Sequence, residues 1–176
     1  MHSLHQLFTP KEVQTFSKVA EDTLLRYRRY NRWLNVYQVG YGKNYRKYGQ
    51  AKLPEGPLRD LAVEVHEKLW VPRGVSSNTA YLQLTTPGTA VKPHRDPLTD
   101  LYFTTITYLG GFTDGQFCYF PPEAKNTLCR GEVVVNVRAG DTLLVPCTVN
   151  GKQGPLHWTK PHQGNRYTLI LNHNVK

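Results

Sequence analysis

YFTTITYLGGFTDGQFCYF, residues 102–120, contains two short runs rich in β-branched and aromatic residues, Tyr102 to Leu109 and Phe117 to Phe120, set apart by Gly110-Gly111 and Asp114-Gly115. Such side chains suit a pleated sheet, and glycine beside glycine or aspartate is turn chemistry. The pattern continues outward in both directions. Thr79 to Leu84 lies upstream, while Glu132 to Val137, Thr142 to Val145, Leu156 to Thr159 and Tyr167 to Asn172 lie downstream. Pro121-Pro122, Gly140-Asp141 and Asn150-Gly151 stand between them as breakers. Short strands at this regular spacing predict an all-β sandwich or barrel for everything after Pro72.

The N-terminal part reads differently. Thr9 is placed to cap a helix, Pro10 suits its first position, and Glu12 falls where a capping box needs its carboxylate. Val13, Phe16, Ala20 and Leu24 follow at helical spacing, to about Arg26, and a second amphipathic helix is expected from Pro57 to Trp70 on Leu58, Leu61, Ala62, Val65 and Leu69. The expected class is therefore α+β, mainly β. It is a single domain over residues 1–176, with a helical, basic and aromatic support region (1–72) carrying a β core (73–176).

At 176 residues the chain is long enough to bury a core without metal or disulfide support. Cys118, Cys129 and Cys147 are odd in number and never spaced as C-x-x-C, which argues against a disulfide framework or a cysteine zinc site. No run approaches the roughly 20 apolar residues of a membrane helix, and the first residues lack the basic-then-apolar order of a secretory signal. An intracellular protein, nuclear or cytoplasmic, is the expectation, with the monomer favoured.

The candidate chemistry lies in four residues. His94 and Asp96 are two apart, so on a strand they share a face while Arg95 points away. His157, on a later strand, supplies a third ligand. Two imidazoles and one carboxylate on one side of an ion leave its other positions open, the facial arrangement that holds non-haem Fe(II). An isolated H-x-D is common and carries little by itself. Arg166, nine residues after His157, sharpens it: a buried guanidinium grips a carboxylate with two parallel bonds, and Thr168 shares its face. His162 is expected at the surface, and Trp158 is expected to pack within the barrel.

With the glycine six residues before the first ligand (Gly88), His94-Arg95-Asp96, Gly140-Asp141, and His157 followed by Pro161, Gly164 and Arg166-x-Thr168, the chain resembles the Fe(II)/2-oxoglutarate-dependent dioxygenase superfamily. The resemblance covers about residues 79 to 172. It implies a double-stranded β-helix (jelly-roll, cupin-like) with N-terminal supporting helices, and Fe(II) held by His94, Asp96 and His157. It also implies 2-oxoglutarate on Arg166 and Thr168, O2 as oxidant and ascorbate as an optional reductant. Decarboxylation to succinate would then yield an Fe(IV)-oxo species that abstracts hydrogen from substrate. A further co-substrate contact three residues before the glycine falls on Thr85, and Tyr81 is the alternative. Asp96 implies oxygenation rather than halogenation, since related halogenases leave that position without a carboxylate.

Within the superfamily, Leu109 to Cys118 and Gly164 to Asn172 are similar to the TET/JBP branch, which oxidises 5-methylpyrimidines in nucleic acid. Charge points the same way. Lys and Arg outnumber Asp and Glu by 22 to 13, and Arg26, Arg28, Arg29, Arg32, Lys43, Arg46, Lys47 and Lys52 stand in a stretch with no acid. Tyrosines and Trp33 alternate with them, a mixture suited to phosphates and unstacked bases. Lys92 and Arg95 add positive charge beside the ligands. The first expectation is oxidation of a methylated base of the 5-methylcytosine type, with DNA favoured over RNA as partner. A protein side-chain (prolyl hydroxylase-like) or small-molecule hydroxylase, and a non-enzymatic basic jelly-roll that binds nucleic acid, remain open beside it.

Overall fold

The structure is a computed structural model that describes residues 2–39, 55–75, 79–96, 103–121, 131–149 and 152–172. The chain runs β1 (Ser3–Gln6), α1 (Pro10–Tyr27), β2 (Arg29–Asn31), β3 (Val36–Val39), α2 (Pro57–Val65), β4 (Thr79–Thr85), β5 (Phe103–Leu109) and β6 (Gln116–Tyr119). It continues as β7 (Val133–Asn136), β8 (Asp141–Pro146), β9 (Thr148–Val149), β10 (Lys152–Gln153), β11 (His157–Thr159) and β12 (Arg166–Asn172). A seven-stranded sheet in the order β1-β8-β5-β12-β4-β3-β2 accompanies a three-stranded sheet, β11-β6-β7, and the small β10-β9 pair. Every pairing is antiparallel. Mainly β, with helices laid on one face of the large sheet, this is the expected jelly-roll.

The alternation of side chains along the central strands explains how it is built. Tyr167, Leu169 and Leu171 of β12, Ala80, Leu82 and Leu84 of β4, Phe103 and Leu109 of β5 and Leu144 of β8 join one buried cluster with the helix residues Phe16, Ala20, Leu24, Leu58, Leu61 and Val65. The residues between them turn the other way, into a cavity: Arg166, Thr168 and Ile170 of β12, Tyr81, Gln83 and Thr85 of β4, Thr104, Ile106 and Tyr108 of β5. One face of the sheet is thus greasy and covered, the other polar and concave. Burying a Leu contributes roughly 1.5–3 kcal/mol, so this apolar face demands the helices.

The capping box predicted for α1 is made: Glu12 N donates to Thr9 Oγ1 at 3.3 Å, and Thr9 N donates to Glu12 Oε2 at 2.7 Å. The second helix departs from expectation. It is α-helical only to Val65 and passes through one π-helical turn, His66–Trp70. The wider turn carries Trp70 to full burial, where its Nε1 donates to Thr105 Oγ1 at 3.0 Å. The support region is also not purely helical. β1 pairs with β8, and the β2–β3 hairpin adds two strands beyond β4.

At the far end of β5, Gly110 has φ +100°, and a Cβ there would stand 2.5 Å from the Asn165 carbonyl oxygen. That approach sets where β12 begins, and so where Arg166 enters the cavity.

Candidate metal centre

His94 and His157 are held together by backbone. His94 N donates to His157 O at 3.0 Å and His157 N donates to His94 O at 2.9 Å, an isolated antiparallel bridge outside any long ladder. Each ring is oriented from behind. His94 Nδ1 bonds Lys92 O at 2.7 Å and His157 Nδ1 bonds Pro155 O at 3.1 Å. A carbonyl only accepts, so Nδ1 carries the proton in each ring, which in the neutral imidazole is the tautomer that leaves Nε2 to a metal. The Asp96 carboxylate faces both: Oδ1 is 4.0 Å from His94 Nε2 and Oδ2 is 3.9 Å from His157 Nε2. All three ligand atoms lie within 4.8 Å of one another. Burial, opposed by Asp96 and reinforced by His94, holds the His157 pKa below its ordinary value and keeps the ring neutral.

The cavity beside them has a volume of about 370 Å³. Arg166 sits in it only 1% exposed, with Nη2 donating to Thr159 Oγ1 at 2.8 Å and Nη1 left with no partner among the described residues. Burial pushes the guanidinium pKa down, and it raises that of the nearby Tyr108 hydroxyl. Thr168, buried, stands opposite Gln83 on one neighbouring strand and Tyr108 on the other, so these three form a polar row next to Arg166. Thr85 and Tyr81 line the same cavity. A buried cation with an idle donor in a polar recess fits a small dicarboxylate, and the N2O ligand set fits Fe(II) with open positions.

The basic residues are divided. Arg26, Arg28, Arg29 and Arg32 are exposed, as are Lys92 and Arg95, and among the described residues none of the six is in an ion pair. Arg28 lies over the Tyr37 ring at 4.9 Å, and Lys92 Nζ donates to Arg32 O at 3.2 Å. Arg95 turns away from the ligands, with Nη1 donating to Gly154 O at 2.6 Å. Lys43, Arg46, Lys47 and Lys52 lie outside the described residues.

Trp33, at the tip of the β2–β3 hairpin, is 64% exposed, lines the cavity mouth and meets the His94 ring edge-on at 5.8 Å. Trp158 is half-buried against Phe120, ring centroids 5.0 Å apart. His162 is a correction: it is 3% exposed rather than on the surface, with Nε2 bonding Thr85 O at 3.1 Å.

Sequence reading passed over Tyr108 and Cys147. Tyr108 had a signal, since it shares parity with Thr104 and Ile106 on a predicted strand. Cys147, whose Sγ is 3.2 Å from Asp96 Oδ2, had none, because nothing in the sequence brings residues 96 and 147 together.

No protein-family model and no curated protein matches the sequence. Solved structures share the fold. A prolyl-4-hydroxylase from Pseudomonas putida aligns over 99% of this chain and 92% of its own at 18% identity, TM-score 0.63. A prolyl hydroxylase from Trichoplax adhaerens, in complex with a hypoxia inducible factor oxygen degradation domain peptide, aligns over 97% and 82% at 15% identity, TM-score 0.68. A viral collagen prolyl hydroxylase from Paramecium Bursaria Chlorella virus-1, in a 2-oxoglutarate complex, aligns over 97% and 94% at 12% identity, TM-score 0.61. The chain has the fold of the 2-oxoglutarate-Fe(II) oxygenases.

Proposed function

We propose that this chain is an Fe(II)/2-oxoglutarate-dependent dioxygenase that hydroxylates a C–H bond of a polypeptide side chain. The observation that carries the reading is the meeting, in one recess, of two imidazoles and a carboxylate with a buried arginine whose Nη1 has no partner among the described residues. Bound iron with 2-oxoglutarate and O2 would supply an oxidant strong enough to break an unactivated C–H bond. The chain's own residues do the rest. Lys92 O and Pro155 O fix the two rings, Asp96 would balance part of the ion's charge, and Arg166 with Thr168, Gln83 and Tyr108 would offer donors to the far carboxylate of the co-substrate. Thr85 and Tyr81 line the path between.

The polypeptide is preferred because the neighbours in fold are prolyl hydroxylases, one of them in complex with a peptide. A methylated nucleic acid base is the second reading, favoured by the exposed Trp33 at the cavity mouth beside Arg32 and Lys92, a ring and cations of the kind that receive an extruded base.

The test is turnover of the purified protein with Fe(II), 2-oxoglutarate and O2, in parallel on a proline-containing peptide library and on methylated duplex DNA. The expected result is substrate-dependent succinate and a 16-dalton gain on peptide. Oxidised base without peptide product would move the assignment to nucleic acid. Failure to bind 2-oxoglutarate in the presence of metal would overturn both.

A further inference from the structure

We propose that Cys147 and the chain that returns to it, Gln153-Gly154, form a clamp on the metal-binding turn, and that the Cys147 thiol sets the orientation of the Asp96 carboxylate. The proposal rests on the reading of His94, Asp96 and His157 as a metal site. Asp96 follows the His94 bridge in irregular chain, so no strand ladder fixes its rotamer. Three contacts from the same neighbourhood hold this turn, and one of them reaches the carboxylate itself. Gln153 Nε2 donates to Asp96 O at 2.6 Å, Arg95 Nη1 donates to Gly154 O at 2.6 Å, and Cys147 Sγ stands 3.2 Å from Asp96 Oδ2.

The thiol is only 1% exposed and has one proton to give. Thr104 Oγ1, at 3.3 Å, and Val145 O, at 3.8 Å, are its other polar neighbours, and both can only accept, since the Thr104 proton goes to Asn172 Oδ1. The carboxylate is the stronger acceptor, so the thiol proton goes to Asp96. With Oδ2 so engaged, Oδ1 is the oxygen left to ligate a metal. The clamp is tight: Gly154 N donates to Cys147 O at 2.7 Å, and a Cβ on Gly154 would meet Cys147 O and Pro146 O, both at 2.7 Å. Only glycine lets the chain double back closely enough to offer its carbonyl to Arg95. Cys147 is thus a positioning residue, acting on the metal through Asp96.

Co(II) alone, titrated into the purified protein without 2-oxoglutarate, reads the geometry of the site through its visible absorption. Loss of an outer partner of a ligand typically weakens a metal about 10- to 100-fold. Cys147→Ala should therefore bind Co(II) at least about tenfold more weakly and with an altered visible spectrum, and Cys147→Ser, which keeps a donor, should bind within about threefold of wild type. Gln153→Ala, at an exposed position, should weaken binding in the same direction, and it serves as the test should Cys147→Ala not fold. Wild-type affinity and spectrum in Cys147→Ala, or Cys147→Ser as weak as Cys147→Ala, would overturn the clamp alone. So would an intense near-ultraviolet sulfur-to-cobalt band in wild type, which would make Cys147 a ligand. A wild type that takes up no Co(II) would overturn the metal reading, and the clamp with it.

Discussion

Arg166, proposed above to grip the co-substrate, shows what such a residue costs the fold that carries it. Its guanidinium is buried to 1% exposure and donates to a hydroxyl, Thr159 Oγ1, with no carboxylate paired to it among the described residues. A buried charge without a counter-ion is unfavourable, and even a buried ion pair is often replaced by apolar groups of similar volume with a gain of about 1–4 kcal/mol. Thr159 would not be orphaned by the change, since its Oγ1 already accepts Val91 N at 2.9 Å. Arg166→Met should therefore unfold at higher denaturant concentration than wild type when both are free of metal, by about 1–2 kcal/mol. The order should reverse with ligand. Mn(II) and 2-oxoglutarate at about 100 times the dissociation constant should add about 2.7 kcal/mol to wild type and nothing comparable to the variant. A variant less stable than wild type without ligand, or equally stabilised with it, would refute the account.

At the scale of elements, β12 does two tasks with alternate residues. Arg166, Thr168 and Ile170 line the cavity while Tyr167, Leu169 and Leu171 pack beneath the helices. Leu169, 1% exposed and paired with Leu82 and Thr107, sits between two cavity residues yet packs on the opposite face, in the apolar cluster beneath the helices. Leu169→Ala should lower unfolding free energy by about 3 kcal/mol through the void it leaves, while the 2-oxoglutarate affinity of the folded fraction stays within about twofold. A parallel fall in both would mean that the two faces are coupled.

The same alternation explains what the sequence could reveal. Core strands such as β5 and β12 are long, bounded by turns and rich in β-branched and aromatic residues, so they could be read directly. β1, reading Ser-Leu-His-Gln, is short and largely polar. β2, at the sheet edge, and β3, between it and β4, are short strands whose formation depends on β4, and pairing of that kind leaves no local trace. His94, Asp96, His157 and Arg166 were legible as a spaced motif. Tyr108 could have been found by its parity with Thr104 and Ile106, whereas nothing local set Cys147 apart from the other cysteines.

For the whole molecule, the net charge of +9 has a direction. Arg28, Arg29 and Arg32 leave the end of α1 and pass along β2 to the turn that bears Trp33, without a carboxylate partner among the described residues. Unpaired surface cations contribute little to stability but attract anionic partners over about a Debye length, roughly 10 Å at 0.1 M salt. Substrate capture should therefore weaken with salt. Raising salt from about 50 to 200 mM should lower kcat/KM and leave kcat nearly constant, because the three arginines stand outside the cavity that holds the proposed site. The triple variant Arg28→Ala, Arg29→Ala, Arg32→Ala should lose most of this dependence. The size of the effect separates the two substrate classes. On nucleic acid each phosphate contact adds about 0.9 to the slope of log K against log salt, so losing three should flatten it by about 2 to 3. A peptide neutralises few cations and releases no condensed counterions, so its slope should change by less than about 1. A wild-type kcat/KM that does not respond to salt would remove the basic surface from substrate recognition and return the choice of substrate to Trp33 and the cavity walls.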